Sequence, residues 1–543
     1  SPDLSFLGGN HDLAITRLAT GQHLPPAQEL QLPQTAAEAN AYLEAREGML
    51  VALPSPLPVV GPTHSGCGFA VAAQSGQARP IRSATDSELN SVVLILHHSD
   101  VDCSQLPALK FGDEVDGISG PLTYHFERYK VVQQDVASLV VQPGAAELLD
   151  PLPAHAADLL RAATFNLNNY LRPAETMGDE LDGRPSAEAL AAKRYKTAAT
   201  ISTALGCPEL LAVQEVETVE LLGELAADLA NACGFTYSVA HRDSPDARGI
   251  DVALMVDPRR ATILSTMLRQ TCTPLDTGIL DAAANCSPGQ YPLFSRPPLE
   301  VGLRIDGERF RVLVNHFKSK REGEAETAPR RLAQANYVHG LVKSWLEMDP
   351  SAAILVVGDF NDYEQSVVWL RLQEEGILVN ALQRVPQEHR YSYIFDGESQ
   401  LLDGVFVSPA LVHRIATAEI RHTNSDYPWS LAADVSTFYG ASDHDVPLVA
   451  FHAAATMPGQ TPLPVTGPVA PAAATGSLSV MATPVFEVQE RAAPSPDAAV
   501  QPAENSPLEQ RSGDPGWPAR YLPLGLLLLA LLVGCAYVLL RRH

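Results

Sequence analysis

Two rhythms of apolar and polar positions divide most of the chain. Up to about residue 155, short apolar runs are cut repeatedly by Gly, Pro, Asp and Ser, which predicts strands over 48–53, 68–73, 91–98, 114–118, 122–126 and 129–132. Short strands separated by turn signals fold as a small β-rich barrel or sandwich. From about 159 to 453 the period lengthens. Residues 186–205 carry apolar or Ala positions at helical spacing and stop before Gly206 and Pro208, and 217–232 do the same before Gly234. Apolar strands are predicted over 162–167, 210–214, 252–256, 311–314, 353–357, 402–407 and 446–451. Strands with helices between them make a layered α/β domain.

A third pattern closes the chain. Residues 454–520 hold 12 of the 43 prolines, with much Ala and few aromatics. Such a segment cannot bury enough apolar surface to offset its ordering, and it reads as an extended stalk. Residues 521–540 carry no charge; at about 1.5 Å per residue they cross a bilayer core of about 30 Å as one transmembrane helix. The basic tail 541–543 follows as a stop signal, and Trp517 and Tyr521 stand where an interfacial belt would be. The expectation is a C-terminal anchor holding the folded part at the extracellular face of the cell membrane, with release or cell-wall association as alternatives. The pentapeptide Leu463-Pro-Val-Thr-Gly467 resembles a sortase signal, but residues 468–520 separate it from the apolar run, so the match reads as coincidence. Starting at Ser1, the chain reads as a mature or trimmed form.

Composition changes the picture at two points. Lys plus Arg number 38 and Asp plus Glu 63, a net charge of −25. That excludes a protein gripping nucleic acid by one large basic face, but not an enzyme meeting phosphates through a local patch and metal ions. Of the 7 cysteines, Cys535 lies in the apolar run, and the other six form no CxxC metal pair. They read as disulfides of an exported protein. Proximity favours Cys67 with Cys103, Cys207 with Cys233 and Cys272 with Cys286, among the many connectivities six cysteines allow; six reduced thiols are the alternative.

Candidate chemistry gathers at the predicted strand ends. Asn166 ends Thr-Phe-Asn, Glu215 lies in Gln-Glu-Val-Glu, Asp251 in Arg-Gly-Ile-Asp-Val-Ala-Leu and His316 in Asn-His-Phe-Lys-Ser-Lys. Asp359 and Asn361 lie in Gly-Asp-Phe-Asn-Asp, Asp403 in Leu-Asp, and Asp443 with His444 in Ser-Asp-His-Asp-Val-Pro. One acid or amide at a strand end is ordinary, but a series of them is not. Over residues 159–453 these seven motifs, in this order, resemble the deoxyribonuclease-I-like endonuclease/exonuclease/phosphatase superfamily. The resemblance implies a four-layer αββα sandwich whose two sheets meet at a metal-dependent phosphoesterase site. Gly-Met-Leu-Val-Ala-Leu-Pro at 48–54 and the run Gly-Asp-Glu-Val-Asp-Gly-Ile-Ser-Gly-Pro-Leu-Thr-Tyr-His-Phe-Glu-Arg-Tyr-Lys-Val-Val at 112–132 resemble the oligonucleotide-fold-like amino-terminal domain of bacterial extracellular nucleases, in which Tyr124, Phe126 and Tyr129 would stack on bases or else serve as core. A packing or processing domain is the alternative there.

Each residue type fits a role in that chemistry. Glu215 is a hard carboxylate for a divalent cation, Mg²⁺ first and Mn²⁺ or Ca²⁺ otherwise, with Asn166 beside it and Asp443 adding a carboxylate on the metal side. Asp359 is expected to align or deprotonate the attacking water, and Asn361 to donate toward the phosphoryl oxygens. His444 binds the phosphate or protonates the leaving oxygen, its tautomer and charge set by Asp403. His316 is expected as a second phosphate-facing imidazole with Asp251 as its carboxylate; a strand-end cap or an ion pair with Arg248 is the alternative for Asp251. Gly404 stands where relatives often carry a larger residue and is expected to open the pocket. Asn168 and Asn169 stand where some relatives place an acid.

Lys318, Lys320 and Arg321, with Arg330 and Arg331, put cations near His316. They suit a nucleic-acid backbone or a polyphosphate head group, or form a solvated loop. The leading expectation is a surface-anchored, metal-dependent endonuclease with DNA or RNA as substrate, the membrane as support and no obligate protein partner. The alternatives are a sphingomyelinase-like or inositol-phosphate phosphoesterase, with Tyr427-Pro-Trp429 as its one candidate lipid-dipping segment, and an inert nucleic-acid-binding surface protein.

Overall fold

The computed structural model describes residues 25–452 except 32–35, 55, 73–78, 84–91, 98–102, 126–127, 146–148, 150–151, 153–155, 157 and 174–183. The expected stalk, the apolar run 521–540 and Phe126 lie outside the described residues. Among the described residues no helix is long and apolar enough to cross a membrane.

Two six-stranded sheets make the centre of the α/β region. The first runs, in spatial order, Ser238–His241, Asp251–Val256, Leu210–Val216, Leu159–Tyr170, Val446–His452 and Ile415–Arg421. The second runs Ala261–Leu268, Leu299–Ile305, Glu308–His316, Ala353–Asp359, Asp403–Val407 and Val379–Asn380. The strand Leu159–Tyr170 shows why the sheets stack, because successive side chains point to opposite faces. Leu160 and Ala162 join a core shared with Leu299, Val312 and Val405 of the second sheet, whereas Ala163 and Phe165 pack with helical residues on the other side.

The helices start where the sequence signals them. Ser186 accepts from the Ala189 N–H and opens Ala187–Ala199; Thr218 accepts from the Leu221 N–H and opens Val219–Cys233, which ends at left-handed Gly234 with φ 72°. Leu221, Leu222, Leu225 and Leu229 cover the outer face of the first sheet. Helices Glu324–Met348 and Val367–Gln373 pack onto the second sheet through Val338, Val342, Trp345, Val368 and Trp369. The order is helix, sheet, sheet, helix, as the motif series implied. Three disulfides, Cys67–Cys103, Cys207–Cys233 and Cys272–Cys286, follow the pairing by proximity.

The N-terminal region forms a nine-stranded sheet running from Gln28–Glu29 at one end to Val140–Gln142 at the other, and these end strands are not neighbours among the described residues. Its own core includes Leu57, Val59, Phe69, Val71 and Val131. The Tyr124 and Tyr129 rings lie 4.8 Å apart. One strand leaves this region altogether: Ile81–Arg82 runs parallel to Glu398–Gln400 and completes a three-stranded sheet with the hairpin Tyr393–Phe395 and Glu398–Gln400 of the α/β region.

Candidate functional site

His316, Asp359 and Asp403 occupy one row across three neighbouring strands. His316 is opposite Asp359 in parallel register, and Asp359 is opposite Asp403 in antiparallel register. Gly358, with φ 133°, permits the close approach: a Cβ there would stand 2.0 Å from the Asn315 carbonyl oxygen. The chain then turns. Asn361, left-handed at φ 50°, donates its N–H to Asp359 Oδ1 at 2.8 Å and its side-chain Nδ2 to the Phe317 carbonyl at 3.2 Å.

The first sheet faces this row through a bulge. Glu215 has φ 60°, and pairing with Asp251–Val256 skips it, joining Gln214 to Val252 and Val216 to Asp251. The adjoining strand is irregular at the same level: Asn168 and Asn169 are left-handed, and the Asn169 N–H donates to Glu215 Oε2 at 2.9 Å. Asn166 Nδ2 donates to Asp359 Oδ2 at 3.1 Å, and His316 Nε2 stands 3.7 Å from both Glu215 Oε1 and Asp359 Oδ2.

His444, in the loop before Val446–His452, reaches across to the second sheet. Its Nδ1 lies 2.7 Å from Asp403 Oδ2, and its Nε2 lies 4.0 Å from Asp359 Oδ2. Ser392 Oγ donates to the same Asp403 oxygen at 2.7 Å, and the Tyr393 ring lies over the imidazole with centroids 4.8 Å apart. Burial opposes charge on His444, but Asp403, then Asp443 and Asp359, override it and hold the imidazole well above the ordinary histidine range. Burial, and then the Asp403 charge, push the Asp359 carboxyl up to about 6. His316 moves the other way: burial, then Arg296 and Arg248, hold it well below the ordinary range. Arg296 is itself buried, donating to Asp246 at 3.1 Å and to the Phe317 carbonyl at 2.9 Å. A carboxyl able to titrate near neutrality therefore stands between a neutral and a charged imidazole.

The donor set suits a hard cation. Glu215, Asp359 and Asn166 offer oxygen atoms, and buried Asp403 with exposed Asp443 adds negative charge. The raised Asp359 value comes from burial and then from the neighbouring Asp403 carboxylate, and a divalent cation beside it would offset both. Asp359, Asp403 and His444 present ligand atoms within 4.8 Å of one another, although the His444 Nδ1 is already bonded to Asp403.

Several expected contacts fall elsewhere. Asp251 does not meet His316: its Oδ2 lies 2.9 Å from His241 Nε2 and its Oδ1 accepts the Ser244 N–H at 2.8 Å. The physical reason is the neighbouring strand Ser238–His241, which brings His241 beside Asp251, whereas His316 belongs to the other sheet. The buried His316 Nδ1 has no hydrogen-bond partner among the described residues. Arg248 does not take Asp251 either; its Nε stands 3.8 Å from Asp246. Lys318 bonds Glu322 at 2.6 Å, Arg321 is exposed, and Lys320 donates to the Asn361 carbonyl at 2.7 Å, its pKa lowered by burial to about 8. Arg331 is a buried post tied to Asp362 at 2.8 Å and Thr327 at 2.6 Å. Gly404 opens no space, since a Cβ there would lie 2.7 Å from the Phe406 ring and 2.9 Å from that of Phe360.

Sequence reasoning passed over Ser392, Tyr393, Arg296 and Lys193. Lys193 is half-buried on the helix Ala187–Ala199, and burial lowers its pKa to about 8 against the pull of Asp443 and Glu215. The Tyr-Ser-Tyr run before Leu-Asp was the one visible signal for the first two; nothing local marked the others.

Residues 186–426 match the family model described as Endonuclease/Exonuclease/phosphatase family, and residues 19–141 match one described as a domain of unknown function. No curated protein matches. Among solved structures, the truncated TDP2 of Caenorhabditis elegans is 16% identical with a TM-score of 0.37, covering 54% of this chain and 98% of that one. An endonuclease/exonuclease/phosphatase protein of Bacteroides vulgatus is 15% identical with a TM-score of 0.35, covering 55% and 99%. The human Nocturnin catalytic domain with bound sulfate anion is 17% identical with a TM-score of 0.35, covering 54% and 94%. Likenesses this distant say nothing about substrate. The family-model match lies within the α/β region and agrees with the order of motifs along it; members of that family are hydrolases acting on phosphoester bonds, and they use divalent metals.

Proposed function

We propose that this protein is a Mg²⁺-dependent endonuclease that hydrolyses phosphodiesters of DNA or RNA, held at the extracellular face of a cell membrane by residues 521–540 above the stalk 454–520. The observation that carries the reading is the His444–Asp403 pair standing 4.0 Å from Asp359. It sets a proton donor beside a proton acceptor, as hydrolysis by water requires. Asp359 takes the proton of the attacking water as its oxygen bonds to phosphorus. His444 gives its proton to the leaving oxygen as the other P–O bond breaks, and Asp403 holds its tautomer and charge. Neutral His316 and the remaining amide hydrogen of Asn361 donate to phosphoryl oxygens. Glu215, with Asn166 and Asp443 nearby, would hold the cation, which when bound supplies positive charge to the phosphoryl oxygens. Exposed Arg321, with Lys318 and Lys320 where the substrate displaces their present partners, would meet the substrate backbone, and the region 1–155, as an oligonucleotide-fold-like domain, would bind strands leading to the site in 159–453.

The test follows plasmid DNA, RNA and sphingomyelin vesicles with Mg²⁺, Mn²⁺ or Ca²⁺, with a chelator, His444→Ala and Glu215→Gln as controls. Nucleic-acid cleavage should stop with chelator and fall by about 10²-fold or more in His444→Ala. Glu215→Gln should raise the metal concentration for half-maximal rate by about 10-fold or more. Cleavage of sphingomyelin alone would replace this reading with the lipid phosphodiesterase. Metal binding without turnover of any substrate would replace it with the inert binder.

A further inference from the structure

The hairpin that completes the catalytic pair is held from outside the α/β region. On its inner side, Ser392 Oγ donates to Asp403 at 2.7 Å, the Ser392 carbonyl accepts the Asp445 N–H at 2.7 Å, and Tyr393 covers His444. On its outer side it meets the N-terminal region. The Ser399 N–H donates to the Pro80 carbonyl at 2.8 Å, in register with the added strand Ile81–Arg82. Arg82 and Arg128 both bond the buried Glu398, at 3.1 and 2.8 Å.

Arg79 is the centre of this junction. Its guanidinium makes a two-pronged bond to Asp426, at 2.8 and 3.2 Å, and a third bond to Ser399 Oγ at 3.1 Å. It is sandwiched between the Phe111 ring of the N-terminal region at 3.3 Å and the Tyr391 ring of the hairpin segment at 4.0 Å. Tyr391 OH donates to the same Asp426 at 2.8 Å, and Tyr391 is the residue before Ser392. A planar cation with fixed donors, stacked on both faces and bidentate to a carboxylate, fixes both position and orientation; an ammonium group cannot do all of this. The described residues of both regions also fall within one compact unit.

We propose that the N-terminal region is a working part of the catalytic centre: through Arg79 and the strand Ile81–Arg82 it positions the hairpin that sets Ser392 against Asp403 and Tyr393 over His444. Arg79 is a positioning residue in this scheme, and the domain of unknown function acquires a role as the outer wall of the site. The inference rests on the reading of His444 and Asp403 as catalytic.

The test compares Arg79→Ala, Arg79→Lys and Val131→Ala in the full chain, the last a residue of the N-terminal core that makes none of the junction's contacts described above. Arg79→Ala should lower kcat on the cleaved nucleic acid by about 10- to 100-fold, as loss of an outer support to a catalytic group does, with KM within about 2-fold. Arg79→Lys should recover part of the loss, and Val131→Ala should lower thermal stability while keeping kcat. Hydrogen exchange should accelerate in Arg79→Ala over residues 391–404, where the Leu402 and Asp403 N–H groups donate to Ser392 Oγ. A wild-type kcat in Arg79→Ala overturns the proposal whatever the exchange shows. If the wild type cleaves none of the substrates, the functional reading has failed separately, and exchange decides the positioning claim: local acceleration supports it and unchanged protection overturns it. Should Arg79→Ala not fold, Arg79→Lys carries the same comparison.

Discussion

Asp403→Asn is the most direct challenge to the proposed chemistry. The side chain is buried and accepts from both His444 and Ser392 on one oxygen. The amide keeps the shape and an acceptor for Ser392 but removes the charge that holds His444 protonated. Two unit charges about 4 Å apart at an effective dielectric near 20 interact by about 4 kcal/mol, or about three pKa units, which sets the order of magnitude of the drop in the His444 value. The same substitution removes the charge that helps push Asp359 up to about 6. In the wild type, activity should rise with pH as Asp359 ionises and fall as His444 loses its proton at a value above the ordinary histidine range. Both limbs should move to lower pH in Asp403→Asn, the basic limb by more than about one unit. Metal bound near Glu215 also draws the acidic limb down, so both proteins must be compared at one metal concentration. The rate at pH 7 should fall by about 10²- to 10⁴-fold. For stability the sign is fixed by the raised His444 value: the pairing contributes fully below the unfolded histidine pKa and is lost as pH climbs through the folded one. The wild-type advantage over Asp403→Asn in urea unfolding should therefore shrink at alkaline pH. A pH–rate profile with its basic limb unmoved, or an unchanged kcat, would refute the assignment of Asp403 as the group that charges His444.

Two further outcomes separate structure from chemistry. Arg331→Met should destabilise by about 3–5 kcal/mol in urea unfolding, because it leaves buried Asp362 without its partner, while KM of the folded fraction stays at the wild-type value; a selective rise in KM would return Arg331 to the substrate-binding cations. Alkylation without reductant should label none of the six cysteines in the three disulfides, and reduction should cost about 3–4 kcal/mol per bridge from loops of 36, 26 and 14 residues. Labelling of any of the six before reduction would contradict that pairing.

Much of the α/β region was legible because buried strands leave continuous apolar runs and capped helices leave local signals. Of the twelve strands in its two six-stranded sheets, five were not marked, the two-residue Val379–Asn380 among them. Ala261–Leu268 lies at a sheet edge with several exposed positions, and Leu299–Ile305 follows two prolines and contains Gly302, so neither reads as a clean run. Ser238–His241 and Ile415–Arg421 are short or polar enough to escape notice. The site followed the same division. Residue types at strand ends were visible, but aim depends on registers and bulges set by tertiary pairing. Glu215 points to the site because the ladder skips it, and Asp251 points away because an unmarked strand brings His241 beside it. Cations that looked free in the sequence, such as Arg331, are used up by carboxylates too distant along the chain to be seen as partners.

The geometry of the site depends on how the two sheets are held together. Asn166, Glu215 and His444 come from the first, and His316, Asp359 and Asp403 from the second, with bonds crossing at 3.1 and 2.7 Å. Neither sheet alone brings His444 and Asp403 together. Phe317, Phe360, Phe406 and Trp369 form a buried aromatic cluster within the second sheet's core, with edge-to-face ring separations of 4.9 to 6.0 Å. Phe317 and Phe360 each follow a residue of the row proposed as catalytic, His316 and Asp359, so the packing of these rings bears directly on where the row stands. A dense interior transmits a change of one ring to its neighbours, and a displacement of about 1 Å at the reacting groups can cost about 10²-fold in rate. Gly404 therefore has a different use from the one its size suggested: it makes room for Phe360 and Phe406 to close against the strand beside Asp403, so that these rings pack next to the row of His316, Asp359 and Asp403.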